Sequence, residues 1–166
     1  NAAYVNKKAN SLANYRTPYW RQQILNPGVA LLTPANQEYV GYNPTFKGDL
    51  NDYNATLGVK NEKNGWHTDI SLTTGGNKQT YLVDNTINTT EGLNSPTTFR
   101  PGGFKFNHVV GNIDINKQVL PNLNWSIGSE FRNETFEVMA GDTASYGGPK
   151  GLGNSDSFNG FRAENA

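Results

Sequence analysis

From Asp52 to Asn61 the chain alternates, with Tyr53, Ala55, Leu57 and Val59 in one phase and Asn54, Thr56, Gly58 and Lys60 in the other. A period of two predicts a strand with one apolar and one polar side. Lys63-Asn64-Gly65 follows, and Asn-Gly favours a tight hairpin because both residues tolerate positive φ. The return run sets Trp66, Thr68, Ile70 and Leu72 against His67, Asp69, Ser71 and Thr73. A second hairpin repeats the design: Val109, Gly111, Ile113 and Ile115 alternate with Val110, Asn112, Asp114 and Asn116 up to Leu120-Pro121-Asn122. Pro121 has no N–H to give a ladder, so the turn belongs there. The last run places Leu123, Trp125, Ile127, Ser129 and Phe131 opposite Asn124, Ser126, Gly128, Glu130 and Arg132, and continues toward Phe136 and Val138.

The connections between these runs are rich in Pro, Gly, Asn and Thr. The pattern predicts an all-β chain of about four antiparallel strands. Residues 1–50 read as mostly strand end and long loop, 51–83 as a first hairpin and 84–104 as a long loop. Residues 105–140 read as a second hairpin and 141–166 as a loop. The best helical stretch, Tyr19 to Leu25, is bounded by Pro18 and Pro27 and amounts to a short turn. A start at Asn1, with no charged and apolar leader after it, is what a processed or trimmed chain would give.

Composition narrows the function. The 166 residues hold 24 Asn and 18 Gly and are 17% charged, where soluble domains average roughly 25%. With 14 Lys+Arg against 14 Asp+Glu there is no basic surplus for a phosphate backbone, which disfavours nucleic-acid binding. The absence of Cys removes disulfide and thiolate-metal readings, and His67 and His108 alone cannot build a zinc centre. No run approaches the roughly 18 apolar residues of a membrane helix, which leaves a transmembrane strand open.

Strands with one apolar side suit either a soluble sandwich around a core or a barrel whose apolar side meets lipid. Four features lean toward the barrel. The runs reach the roughly 9–11 residues a tilted strand needs to cross the hydrocarbon. Tight turns alternate with long loops. Trp66 and Trp125 each open the strand after a tight turn, where an interfacial aromatic girdle would lie. Lys60, Asp69, Asp114, Glu130 and Arg132 all occupy the polar phase.

The order of several strings then becomes specific. Gly48-Asp49-Leu50-Asn51-Asp52-Tyr53-Asn54-Ala55-Thr56-Leu57-Gly58-Val59-Lys60, Asn64-Gly65-Trp66, Gly75-Gly76-Asn77 and Asn85-Thr86-Ile87-Asn88 come first. Ser95-Pro96-Thr97-Thr98-Phe99, Gly102-Gly103-Phe104 and Gly128-Ser129-Glu130-Phe131-Arg132-Asn133-Glu134 follow, then Ala140-Gly141-Asp142, Ala144-Ser145-Tyr146 and Gly160-Phe161-Arg162-Ala163-Glu164-Asn165-Ala166. This succession resembles TonB-dependent outer-membrane receptors of the Bacteroidetes type. The resemblance implies an internal segment of a plugged barrel of about 22 strands in the bacterial outer membrane. Its partners would be the rest of that barrel, its plug, the outer-membrane lipid, the periplasmic TonB complex through an N-terminal part, and in some systems a surface lipoprotein. No TonB-contacting box, plug or C-terminal aromatic strand end is recognisable in these residues.

On that reading Asn54, Thr56, His67, Asp69, Asn112, Asp114, Glu130 and Arg132 face the lumen or plug, and Trp66 and Trp125 the lipid boundary. Arg16, Tyr19, Trp20 and Arg21, with Tyr15, form an aromatic and guanidinium-rich loop of the kind used in recognition, although loop self-packing gives the same composition. His108 would approach Asp69 or Asp114 if the register brought them together. Glu130, Arg132, Glu134 and Glu137 would either line a path or pair among themselves. No nucleophile elbow, zinc-protease motif or phosphate loop occurs, so neither catalysis nor a cofactor is expected. Asn88-Thr89-Thr90 and three similar triplets match a glycosylation sequon, which the abundance of Asn and Thr explains by chance. The other reading is a secreted or surface β-sandwich, structural or carbohydrate-binding, with Leu57, Ile70, Ile113 and Ile127 in a dry core.

Overall fold

The computed structural model describes residues 1–18, 29–147 and 160–163. The strands are β1 (Ala2–Leu12), β2 (Thr45–Lys63), β3 (Trp66–Asp84), β4 (Thr98–Leu120) and β5 (Leu123–Met139). They form one open antiparallel sheet of five strands in the order β1-β2-β3-β4-β5. Simple up-and-down connectivity follows from the turns. Asn64 (φ 53) and Gly65 (φ 73) both take the left-handed conformation that matches the twist of a two-residue hairpin.

Two expectations need correction. The sheet has five strands rather than four, because β1 pairs along β2. Its register is framed by reciprocal bonds between Asn1 and Thr56 (2.8 and 2.9 Å) and by Ala13 N donating to the Pro44 carbonyl at 2.8 Å. β1 escaped the alternation test because Ala2, Tyr4, Asn6, Lys8, Asn10 and Leu12 mix polar and apolar types, as do Ala3, Val5, Lys7, Ala9 and Ser11. Backbone pairing holds it, together with Tyr4 Oη and Asn6 Nδ2, which both donate to Asn51 Oδ1 at 2.9 and 2.8 Å. The strands also run further than expected, so that β4 starts at Thr98 and the preceding loop shrinks. Pro101 lies within β4, and Gly102 (φ 101) kinks the strand immediately after it, a combination that reads as loop in sequence. The helical candidate Tyr19–Leu25 lies outside the described residues.

The chain divides into two compact units. One, Asn1–Asn6 with Asn51–Asn77 and Phe106–Phe136, contains both tight turns. The other, Lys7–Leu50 with Lys78–Lys105 and Glu137–Ala166, contains the long loops.

Apart from Gly75 and Gly76, the buried residues among those described lie in the long-loop unit. Tyr42 and Ile87 pack with Leu31 and Leu32, and Val83 and Phe99 are buried as well. Polar loops become buried only when their backbone groups find partners, and Asn88 supplies them. Fully buried, it donates Nδ2 to the Ala144 carbonyl at 2.8 Å. Its Oδ1 accepts from Thr90 N and Thr90 Oγ1 at 3.0 and 2.7 Å, and its own N–H reaches Ser95 Oγ at 2.6 Å. This amide ties residues 88–95 to the short helix Thr143–Tyr146. Asp142 caps that helix, accepting Ser145 N at 3.1 Å through Oδ1 and Arg100 N at 2.8 Å through Oδ2. Phe161 N then donates to the Pro101 carbonyl, and Gly141 N to that of Phe161, both at 2.9 Å.

Asn88→Ala takes the side-chain partner from the half-buried Thr90 N–H and Ala144 carbonyl, a loss of about 1–3 kcal/mol. Amide exchange at Thr90 and Ser145 should accelerate by about tenfold or more. Unchanged protection at both amides would mean that the amide does not hold these loops together.

Candidate functional site

In the tight-turn unit the alternation becomes two chemically distinct faces. The polar face is fixed by cross-strand contacts. Thr56 Oγ1 lies 2.9 Å from Thr73 Oγ1, Lys60 Nζ lies 2.8 Å from Asp69 Oδ2, and Glu62 Oε2 lies 3.5 Å from His67 Nδ1. The Cβ position of Gly75 falls 2.7 Å from His108 Cε1 and 3.0 Å from Asn54 Nδ2, which places β2, β3 and β4 residues on one side. That of Gly128 falls 2.5 Å from Asp114 Oδ1 and extends the face to β5. Arg132 bonds Glu130 and Glu134 at 3.1 Å each, two residues away in either direction along the strand. These exposed pairs contribute little stability and fix the order of charges.

Asn54, Thr56, His67, Asp69, Asp114, Glu130 and Arg132 therefore lie on one face, and Asn112 shares their phase in β4. The register does not bring His108 to Asp69 or Asp114. Its ring sits over Gly75, 5.8 Å from the ring of Phe106. Glu137 leaves the Glu130–Glu134 group and pairs with Lys105 at 3.8 Å.

The opposite face is apolar and uncovered. Leu57, Val59, Ile70, Leu72, Ile113 and Phe131, from four strands, line one shallow groove. Leu57, Ile70, Ile113 and Ile127 are 80%, 50%, 46% and 54% exposed. A sandwich would bury these four side chains under a second sheet, and the described residues form one sheet. Aromatic groups border the apolar stretch at both ends. Beside the tight turns Trp66 and Trp125 meet edge to face, with centroids 6.0 Å apart, and Lys117 Nζ stands 4.6 Å from the Trp66 ring. At the other end Tyr53 lies over Gly76, where a Cβ would come within 3.2 Å of its ring, and its hydroxyl donates to Asn107 Oδ1 at 3.2 Å. The run Tyr53 to Lys63 extends about 33 Å along the strand, or about 25 Å of depth at a tilt of ~40°.

Sequence reading placed Tyr53 in the apolar phase without making it a border residue, and it did not assign Lys63 and Lys117 to this face. The signal for Lys117 was present, since it continues the odd-numbered phase of Val109, Gly111, Ile113 and Ile115.

In the long-loop unit Arg16 is held by its backbone, exchanging bonds of 2.8 and 3.0 Å with Tyr42 while its guanidinium reaches the Asn14 carbonyl at 3.3 Å. Tyr19, Trp20 and Arg21 lie outside the described residues. Lys47 forms an ion pair with Asp84 in the same unit. The hydrogen bond from Lys47 holds the Asp84 carboxyl below the ordinary carboxylate range. Partial burial opposes this, and the Thr98 hydroxyl assists it.

Comparison of the chain with models of known families, with curated proteins and with solved structures found no match. The class that fold and site define is an antiparallel β-sheet protein with one polar face and one exposed apolar face.

Because the folded state lowers the Asp84 value, the ion pair stabilises the fold above the unfolded Asp value of about 3.9. That contribution disappears as pH falls through the lower folded value. Lys47→Met should raise the Asp84 carboxyl midpoint seen by carbon NMR, since the hydrogen bond that lowers it is removed. The stability difference from the parent should be present at neutral pH and vanish in acid. An unshifted midpoint would show that Lys47 does not set it.

Proposed function

We propose that this chain is a stretch of the transmembrane β-barrel of a TonB-dependent outer-membrane receptor of the Bacteroidetes type, acting in ligand capture and energy-coupled nutrient uptake. One observation carries the reading: an apolar face about as deep as a bilayer core, exposed on one side of a sheet whose other side is polar, with aromatic borders at both ends. The ordered strings from Gly48 to Ala166 that resemble such receptors support the narrower assignment.

In this reading the apolar face meets lipid. Asn54, Thr56, His67, Asp69, Asn112, Asp114, Glu130 and Arg132 line the lumen or touch the plug. The long loops face outward and contribute to ligand capture, and the plug rearranges when the periplasmic TonB complex pulls. The outer edges of β1 and β5 pair with other strands of the same barrel, since unpaired edges in lipid would strand backbone groups without partners. The work of these residues is binding and passage, with no covalent step.

The polypeptide that carries this chain should fractionate with the outer membrane, need detergent for extraction, and have a denatured mass several-fold above 18.2 kDa. Within it, Leu72→Lys should destabilise the folded protein in vesicles by about 2–4 kcal/mol, read from denaturant titration. Ser71→Lys, one residue away on the polar face, should change stability by less than about 1 kcal/mol. A soluble protein near 18.2 kDa, or equal effects of the two substitutions, would overturn the reading.

A further inference from the structure

The apolar face of the tight-turn unit carries charge in one place only. Along the outward phases of β2 to β5 within that unit, the charged residues are Lys63 and Lys117. Both are cations, and both stand in the same cross-strand row as Trp66 and Trp125. Lys63 directly precedes the Asn64-Gly65 turn and Trp66 directly follows it. Lys117 is beside Trp66, with Nζ 4.6 Å from the ring, and Trp66 in turn meets Trp125. The carboxylates near this end, Glu62, Asp69 and Asp114, belong to the opposite phase, where Lys60 and His67 lie beside Asp69 and Glu62. The sign of charge is thus segregated between the faces, and the outward row is left purely cationic.

Trp66 and Trp125 are 40% and 45% exposed, and no described carboxylate pairs with Lys63 or Lys117. A row of two indoles and two ammonium groups at the edge of an apolar face matches the chemistry of a phospholipid headgroup region. The rings sit at the ester level, the lysine stems cover apolar surface, and the ammonium groups reach phosphate. We propose that Lys63 and Lys117, set by Trp66 and Trp125, form a binding row for the phosphate groups of phospholipids in the leaflet on the tight-turn side. The row thereby fixes how deep the sheet sits. This inference rests on the membrane reading above.

The test uses the whole protein that carries the chain, delipidated in detergent and titrated with phosphatidylglycerol or with a galactolipid lacking phosphate, bound lipid being counted by native mass spectrometry. The parent should bind phosphatidylglycerol more tightly than galactolipid. The double variant Lys63→Gln, Lys117→Gln should lose about tenfold or more of its phosphatidylglycerol affinity with galactolipid binding unchanged. Lys63→Arg with Lys117→Arg should retain it. Equal phosphatidylglycerol binding by parent and Gln variant would overturn this proposal and leave the membrane reading intact. A parent that takes up neither lipid would overturn both.

Discussion

Cross-strand register is the constraint on which the rest of this molecule depends. Side chains alternate along a strand, so a slip of one residue in any pairing would exchange the polar and apolar faces of every strand beyond it. Three pairs lock β2 to β3 in one register: Thr56 with Thr73, Lys60 with Asp69, and Glu62 with His67. All are consistent with the turn at Asn64-Gly65. Lys117, Trp66 and Trp125 lock the next strands at the same end, and the tyrosine hydroxyl of Tyr53 on Asn107 fixes β4 relative to β2 at the other. None of these contacts is strong alone. Together they decide which face each of the side chains occupies, and the chemistry of the site is that decision.

The cost of the arrangement in water is plain. Burying a Leu or Ile side chain contributes about 1.5–3 kcal/mol, and Leu57, Ile70, Ile113 and Ile127 forgo much of it while remaining 80%, 50%, 46% and 54% exposed. A polar surface would cost nothing comparable, and an aqueous β-protein that aligns such residues on one side covers them with a second layer, whereas the described residues form one sheet. Against hydrocarbon the same exposure is favourable, and the small polar residues of the other face, such as Gly58, Ser71 and Gly128, leave space on the side where a lumen would be. The energetics therefore favour an apolar environment for one face and water for the other.

Alternation made β2 to β5 legible where a face is chemically uniform, from Tyr53 to Val59, Trp66 to Leu72, Val109 to Ile115 and Leu123 to Phe131. It failed where neither side of a strand is chemically uniform or where breaker residues interrupt the run. β1 has Lys7 and Lys8 in opposite phases and no uniform side, and the stretch around Pro101 and Gly102 contains the residues that ordinarily end strands. The eight polar-phase site residues share a face because they follow the same period, so their placement was readable, whereas their partners depend on register. Asn88 shows the limit most clearly. In sequence it is one Asn among 24, and its role comes from Ala144, remote in the chain, which no local pattern specifies.

Charge distribution adds a constraint that hydrophobicity leaves free. A neutral chain could scatter its Lys and Glu over any exposed position, and the long-loop unit does pair Lys47 with Asp84 and Lys105 with Glu137. In the tight-turn unit the acids sit in the polar phase, and the outward phase keeps Lys63 and Lys117 beside indoles. Lysine is the charged residue whose long stem lets it remain on an apolar surface while its head reaches water or phosphate, and a carboxylate on a short stem cannot do the same. On the proposed membrane reading, the selection of lysine, its confinement to one row, and the tryptophans beside it answer a single requirement: that row stands where an apolar medium ends and a polar, phosphate-bearing one begins.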